Sequence, residues 1–89
     1  MLQKTTTIIN KLGLHARAAA KFVTQASLFE SEINLIRNNL DVNGKSIMGV
    51  MMLAAAKGSE IEIITKGADE EQAMQSLLEL IANKFGEAE

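Results

Sequence analysis

The chain has 89 residues, 47% of them hydrophobic and 22% charged, with a net charge of −2 at pH 7. A chain this long builds one small domain, expected to span residues 1–89, and no stretch approaches the ~20 apolar residues that cross a bilayer. With no cysteine, one histidine, three phenylalanines and no other aromatic residue, it has no disulfide framework, no thiolate or histidine-rich metal site and no stacking platform, and its acidity argues against a nucleic-acid surface.

Residues 2–9 are rich in β-branched types and end at Asn10-Lys11-Leu12-Gly13, a strand running into a turn. The N-terminus lacks the basic region and long apolar run of a secretory signal, so a cytoplasmic location is expected. From Ala16 to about Ser27 the apolar residues Ala16, Ala19, Ala20, Val23 and Ala26 recur at steps of three and four, with Phe22 beside them. That period predicts a helix whose packing face is made of small side chains.

Ile33, Leu35 and Arg37 alternate with Glu32, Asn34 and Ile36, and Asn38-Asn39 separates them from Leu40-Asp41-Val42-Asn43. Asparagine tolerates positive φ, so the segment reads as a hairpin of two short strands. Gly44-Lys45-Ser46 then introduces a helix from Ile47 through Ala56, with Ser46 as N-cap and Lys57-Gly58 as its basic last turn and stop. Ser59–Thr65 alternates as a strand, and a long amphipathic helix follows from a candidate N-cap at Asp69, with Ala73, Met74, Leu77, Leu78, Leu80, Ile81 and Phe85 on its stripe and its end before Gly86. The order βαββαβα predicts an α+β fold, a four-stranded sheet with three helices on one face.

Two motifs carry chemistry. His15 follows the glycine turn and opens the first helix, so its ring sits beside the unbonded amides of a helix N-terminus, which favour an anion attached to it. Read alone, His15 is a capping or surface histidine and Arg17 a solvated helix residue. Gly13-Leu14-His15-Ala16-Arg17, taken with Asn43-Gly44-Lys45-Ser46-Ile47-Met48-Gly49-Val50-Met51, resembles the HPr family, the histidine-containing phosphocarriers of the bacterial phosphoenolpyruvate-dependent sugar phosphotransferase system. The resemblance covers essentially the whole chain and implies the family's open-faced β-sandwich, in which the four-stranded sheet is antiparallel.

It implies that His15 accepts a phosphoryl group on its pros nitrogen from enzyme I and passes it to the A components of sugar permeases. Arg17 and the Ala16 amide would stabilise the phosphate. The chain would then be a covalent intermediate in transfer, with no cofactor or metal, working as a monomer. An imidazole with an ordinary pKa of roughly 6.5 offers a nitrogen lone pair near neutral pH, and phosphoryl transfer asks mainly for positioning and donors aimed at the moving charge. The family's usual His-Ala-Arg-Pro reads His-Ala-Arg-Ala here, with Ala18 at the proline position. A proline in a first helical turn loses no intrahelical bond, so the departure is expected to alter the rate and not the chemistry.

Ser46 has a second reading, because in many relatives a serine kinase, with a matching phosphorylase, modifies the corresponding residue for regulation. The resemblance also implies a docking surface for enzyme I and the A components, framed by Ala20, Lys21, Lys45, Ile47, Met48, Gly49, Met51 and Met52. Ile47, Met48, Met51 and Met52 cannot all face inward from one short helix; for methionine at helical spacing, core filling is the default, yet its adaptability suits a surface that meets several partners. Gly44-Lys45-Ser46 also mimics the tail of a P-loop, but the first glycine of that motif would fall on Asn39. Two other readings remain: a nitrogen-branch phosphocarrier with regulatory partners, and a regulatory module acting through phosphorylated Ser46. Retention of His15 and Arg17 counts against the second.

Overall fold

In the structure, a computed structural model that describes residues 1–89, four strands form one antiparallel sheet in the order β1-β4-β2-β3. They are β1 (Leu2–Thr7), β2 (Glu32–Arg37), β3 (Leu40–Asn43) and β4 (Glu60–Lys66), with helices α1 (Ala16–Ala26), α2 (Ile47–Met52) and α3 (Glu70–Ala82) between and after them. The period-2 pattern decides which face is covered. Ile61, Ile63 and Thr65 of β4 alternate inward beside Ile33 and Leu35 of β2, with Ile33 opposite Thr65 and Leu35 opposite Ile63. These residues are buried under the helices, whereas Asn34, Glu62 and Gln3 lie on the open face, where Asn34 bonds Asp41 and Gln3 bonds Glu62.

The three helices close the other face, and 19 buried residues make the core. From α1 come Ala18, Ala19, Phe22 and Ala26; from α3 come Ala73, Met74, Leu77 and Ile81. The buried stripe of α1 keeps Ala19, Phe22 and Ala26 from the expected one but is rotated at its start: Ala18 is fully buried, Ala16 is exposed, and Ala20 and Val23 are half-buried. Alanine at five of the helix's first eleven positions carries too little hydrophobic contrast to place the stripe, and Phe22 decides the rotation because it buries the largest apolar surface.

Three element ends differ from the sequence expectation by more than one residue. The first strand stops at Thr7, although Ile8 still exchanges backbone bonds with Gly58 and Ser59 (2.7 and 2.9 Å). The second helix ends at Met52 with Leu53 as its C-cap, and Ala54 turns left-handed (φ 49°). Alanine favours a helix, but the chain here must present the Ala55 carbonyl to the amide of Leu14 (2.9 Å), so the tertiary contact overrides the propensity. The last helix ends at Ala82, and Lys84, Phe85 and Gly86 are all left-handed (φ 56°, 55° and 78°). Burial of Phe85 and a hydrogen bond from Lys21 Nζ to its carbonyl (2.7 Å) hold this unusual run in place.

The hairpin turn is as read, with Asn38 and Asn39 both at positive φ (51° and 67°). Asp69 occupies the N-cap position of α3 as expected, but its side chain makes no capping bond. Its carboxylate accepts from the amides of Glu30 (2.9 Å) and Ser31 (3.0 Å) and from the Ser31 hydroxyl (2.5 Å), fastening the start of α3 to the entry of β2. The Ser31 hydroxyl and these amides hold the Asp69 carboxyl below its ordinary value of 3.8. A carboxyl depressed in the folded state adds stability that is present above the unfolded-state value and is lost as pH falls through the folded one. Asp69→Asn should therefore flatten the acid limb of a chemical-denaturation stability curve between about pH 5 and pH 2; a limb as steep as that of the wild type would contradict this.

Candidate functional site

The turn from Asn10 to Leu14 delivers His15 to the first helix. Gly13 adopts φ +67°, and a Cβ there would lie 2.5 Å from the Ala55 carbonyl oxygen, so the turn needs glycine both for its dihedral and for the close approach. Asn10 is fully buried inside the turn: its carbonyl accepts from the Gly13 amide (3.1 Å), and its Nδ2 donates to the Gly13 carbonyl (2.9 Å). Leu14 is buried beneath, which leaves His15 as the residue that emerges.

His15 is the N-cap of α1, in extended conformation (φ −72°, ψ 177°), and its ring makes no capping hydrogen bond. The first bond of the helix runs from the Ala19 amide to the His15 carbonyl (2.8 Å). The amides of Ala16, Arg17 and Ala18 therefore have no intrahelical acceptor, and with the helix dipole they make a site suited to an anion. Arg17 is exposed, forms no ion pair, and shares a cleft with His15, Lys11 and the C-terminal residues Glu87 to Glu89.

The C-terminal residues reach this cleft because the left-handed run at residues 84–86 turns the chain back. The Glu87 side chain lies between Asn10 and His15: Asn10 Nδ2 donates to its Oε1 (3.0 Å), and His15 Nε2 is 2.5 Å from its Oε2. The Asn10 amide first, then the imidazole, hold the Glu87 carboxyl below its ordinary value of 4.5, with Lys21 adding to the effect and partial burial opposing it. In the sequence Asn10 is only a turn residue, and no local pattern ties Glu87 to the site. Seventy-two positions separate Glu87 from His15, and the only hint is an acidic tail beyond Gly86.

At the second motif, Ser46 is the N-cap of α2, and its Oγ accepts from the Gly49 amide (3.1 Å). Ile47, Met48, Met51 and Met52 are 44, 72, 40 and 63% exposed. Core filling is thus not what these methionines do: only Val50 of α2 is buried, and Met74 of α3 is the methionine in the core. A helix of six residues held by one buried valine leaves the rest of its apolar side chains outward, forming an exposed apolar patch. Ala20 is half-buried, and Gly49 packs beside Val42, where a Cβ would come within 3.3 Å of the Val42 side chain. Lys21 and Lys45 are not free cations: Lys21 Nζ donates to the Phe85 carbonyl and Lys45 Nζ to the Phe29 carbonyl, both at 2.7 Å.

An open-faced sandwich with a histidine at the exposed start of its first helix and a serine-capped second helix has the architecture of the small phosphocarriers. The family model described as "PTS HPr component phosphorylation site" matches residues 2–83. The chain is 60% identical over 89 residues to the phosphocarrier protein HPr of Cupriavidus necator, covering all of both chains. Among solved structures, its backbone matches HPr-C-His of Thermoanaerobacter tengcongensis with a TM-score of 0.96 at 47% identity, again over the full length of both. It also matches an HPr dimer from that organism with a TM-score of 0.79 at 48% identity, covering 98% of this chain and 100% of the other. The chain belongs to the HPr family of phosphocarriers of the phosphotransferase system.

The geometry at Ser46 makes a plain stability prediction. Ser46→Ala removes the acceptor for the Gly49 amide and should cost about 1 kcal/mol in urea-induced unfolding; a midpoint unchanged from the wild type would show that the cap contributes nothing.

Proposed function

We propose that the chain carries a phosphoryl group on Nδ1 of His15, taken from phosphorylated enzyme I and passed to the A components of sugar permeases, and that it does so as a cytoplasmic monomer. One observation carries the reading: His15 stands at a helix N-terminus where three amides lack intrahelical acceptors and the Arg17 guanidinium has no carboxylate partner. Both are free to bond an arriving phosphate without breaking an existing bond.

In the transfer, the Nδ1 lone pair attacks phosphorus while the bond from phosphorus to the donor nitrogen of enzyme I breaks, and the electron pair leaves with the donor. The amides of Ala16, Arg17 and Ala18 and the Arg17 guanidinium are placed to offset the charge on the phosphoryl oxygens. Onward transfer is the reverse displacement, with the A component supplying the nucleophile. Exposed Met48 and Met52, with Ile47 and Met51, supply an adaptable apolar surface suited to several partners that must bind and release quickly. His15→Ala should abolish acid-labile labelling by enzyme I and phosphoenolpyruvate; undiminished label on the variant would refute the assignment.

A second reading concerns Ser46, whose hydroxyl sits at the edge of that apolar patch. Phosphorylation by a serine kinase would add about −1.5 to −2 charges there. The charge is tolerated by the helix start but opposes docking of an apolar surface. Ser46→Asp should slow phosphoryl uptake from enzyme I severalfold; uptake at the wild-type rate would remove the argument for regulation at this position.

A further inference from the structure

Of the two ring nitrogens of His15, one is already occupied. Nε2 lies 2.5 Å from Glu87 Oε2, and Nδ1 makes no capping bond to the helix it precedes. Asn10 Nδ2, a group that can only donate, engages the other carboxylate oxygen, Oε1, at 3.0 Å. With Glu87 ionised, its Oε2 can only accept, so the proton of this contact belongs to Nε2 and the lone pair of the neutral ring belongs to Nδ1.

From this geometry we infer that Glu87 is a positioning residue for phosphoryl transfer: it holds the His15 ring in the tautomer that leaves Nδ1 nucleophilic and offsets the positive charge that the ring acquires on phosphorylation. The inference rests on the proposal that Nδ1 of His15 is the phosphoryl acceptor. When the bond from Nδ1 to phosphorus forms, no proton leaves the ring; Nε2 keeps its hydrogen, the ring becomes cationic, and the Glu87 carboxylate is its counter-ion. When the bond breaks in onward transfer, its electron pair returns to Nδ1 and the ring is neutral again in the same tautomer. A base is therefore not needed in either direction, and the ring is kept in its better leaving form between the two steps. The same division of labour, a carboxylate fixing the ring proton on one nitrogen while the other does chemistry, is a general way of orienting histidine.

Several features show that this contact is constructed by the fold. Glu87 reaches His15 only because residues 84–86 run left-handed, and that run is held by burial of Phe85 and by Lys21 on its carbonyl. Asn10 ties Glu87 to the Gly13 turn, so one buried amide sets both the backbone that leads to His15 and the carboxylate that meets its ring. Both partners are largely shielded, with 28% of the His15 and 18% of the Glu87 side chain exposed, which keeps the contact from being screened as a surface pair would be. The other charges at the cleft leave Glu87 to His15: Lys11 pairs with Glu89, Lys21 is bonded to the Phe85 carbonyl, and Arg17 forms no ion pair.

The test is to label the ring nitrogens of His15 with nitrogen-15 and to record their chemical shifts at alkaline pH in the wild type, Glu87→Ala and Glu87→Gln, alongside initial rates of phosphoryl uptake from enzyme I. In the wild type Nε2 should show the shift of a protonated nitrogen and Nδ1 that of an unprotonated one. In Glu87→Ala the two shifts should move toward each other as the second tautomer appears, and uptake should fall about five- to tenfold, as expected for loss of a partly exposed hydrogen bond to a charged group. Glu87→Gln keeps an oxygen acceptor without the charge, so it should restore the wild-type shifts but only part of the rate. A merely structural role for Glu87 would lower stability without moving the ring shifts. Unchanged shifts or an unchanged uptake rate in Glu87→Ala overturns the inference. Failure of the wild type itself to take up phosphate on His15 would instead overturn the phosphocarrier reading, and the tautomer measurement distinguishes the two.

Discussion

The site depends on one buried side chain. Asn10 is sealed from solvent, and its amide nitrogen donates both to the Gly13 carbonyl and to the Glu87 carboxylate. A buried amide that lost these partners would carry a desolvation cost on the order of 1–3 kcal/mol, so the arrangement that satisfies them is strongly preferred. Through Gly13 it fixes the turn that ends in His15, and through Glu87 it fixes the chain terminus that reaches the same ring. The two segments are far apart in sequence and meet at a single side chain.

Around that hub the scaffold is packed and the chemistry is left open. Ala18, Ala19, Phe22 and Ala26 seat α1 on the core, so its N-terminal amides are held in place without being used. An anion site made this way needs no movement when charge arrives, which is the condition under which backbone dipoles are most effective. The α2 side is built on the opposite logic. Helix α2 is short, capped by Ser46 and secured by Val50, and four of its six residues present flexible or apolar side chains to solvent. A precise anion site beside an adaptable surface is what a protein that hands one group among several partners requires.

Much of this was legible in the sequence, for identifiable reasons. Alternation in β2 and β4 has period 2, the stripe of α3 has period 3.6, and Asn38-Asn39 tolerates the left-handed turn, so these elements declared themselves locally. Ser46 declared itself too, since a serine before an apolar run is a cap signal that depends on neighbours three residues away. Local preference and tertiary demand disagree at two places. Ala54 to Ala56 are strong helix formers that the Leu14 amide draws out of the helix, and Asp69 has the chemistry of a cap but bonds the backbone of residues 30 and 31.

By itself the sequence determined the element order, the helix-capping place of His15 and of Ser46, and the anion-favouring start of α1, because each follows from interactions within a turn or two of chain. Only the tertiary structure decided which alanines of α1 are buried, that Ile47, Met48, Met51 and Met52 are all exposed, and that Glu87 occupies Nε2 of His15. Those outcomes depend on which distant segments meet, and no local pattern encodes a contact across 72 residues.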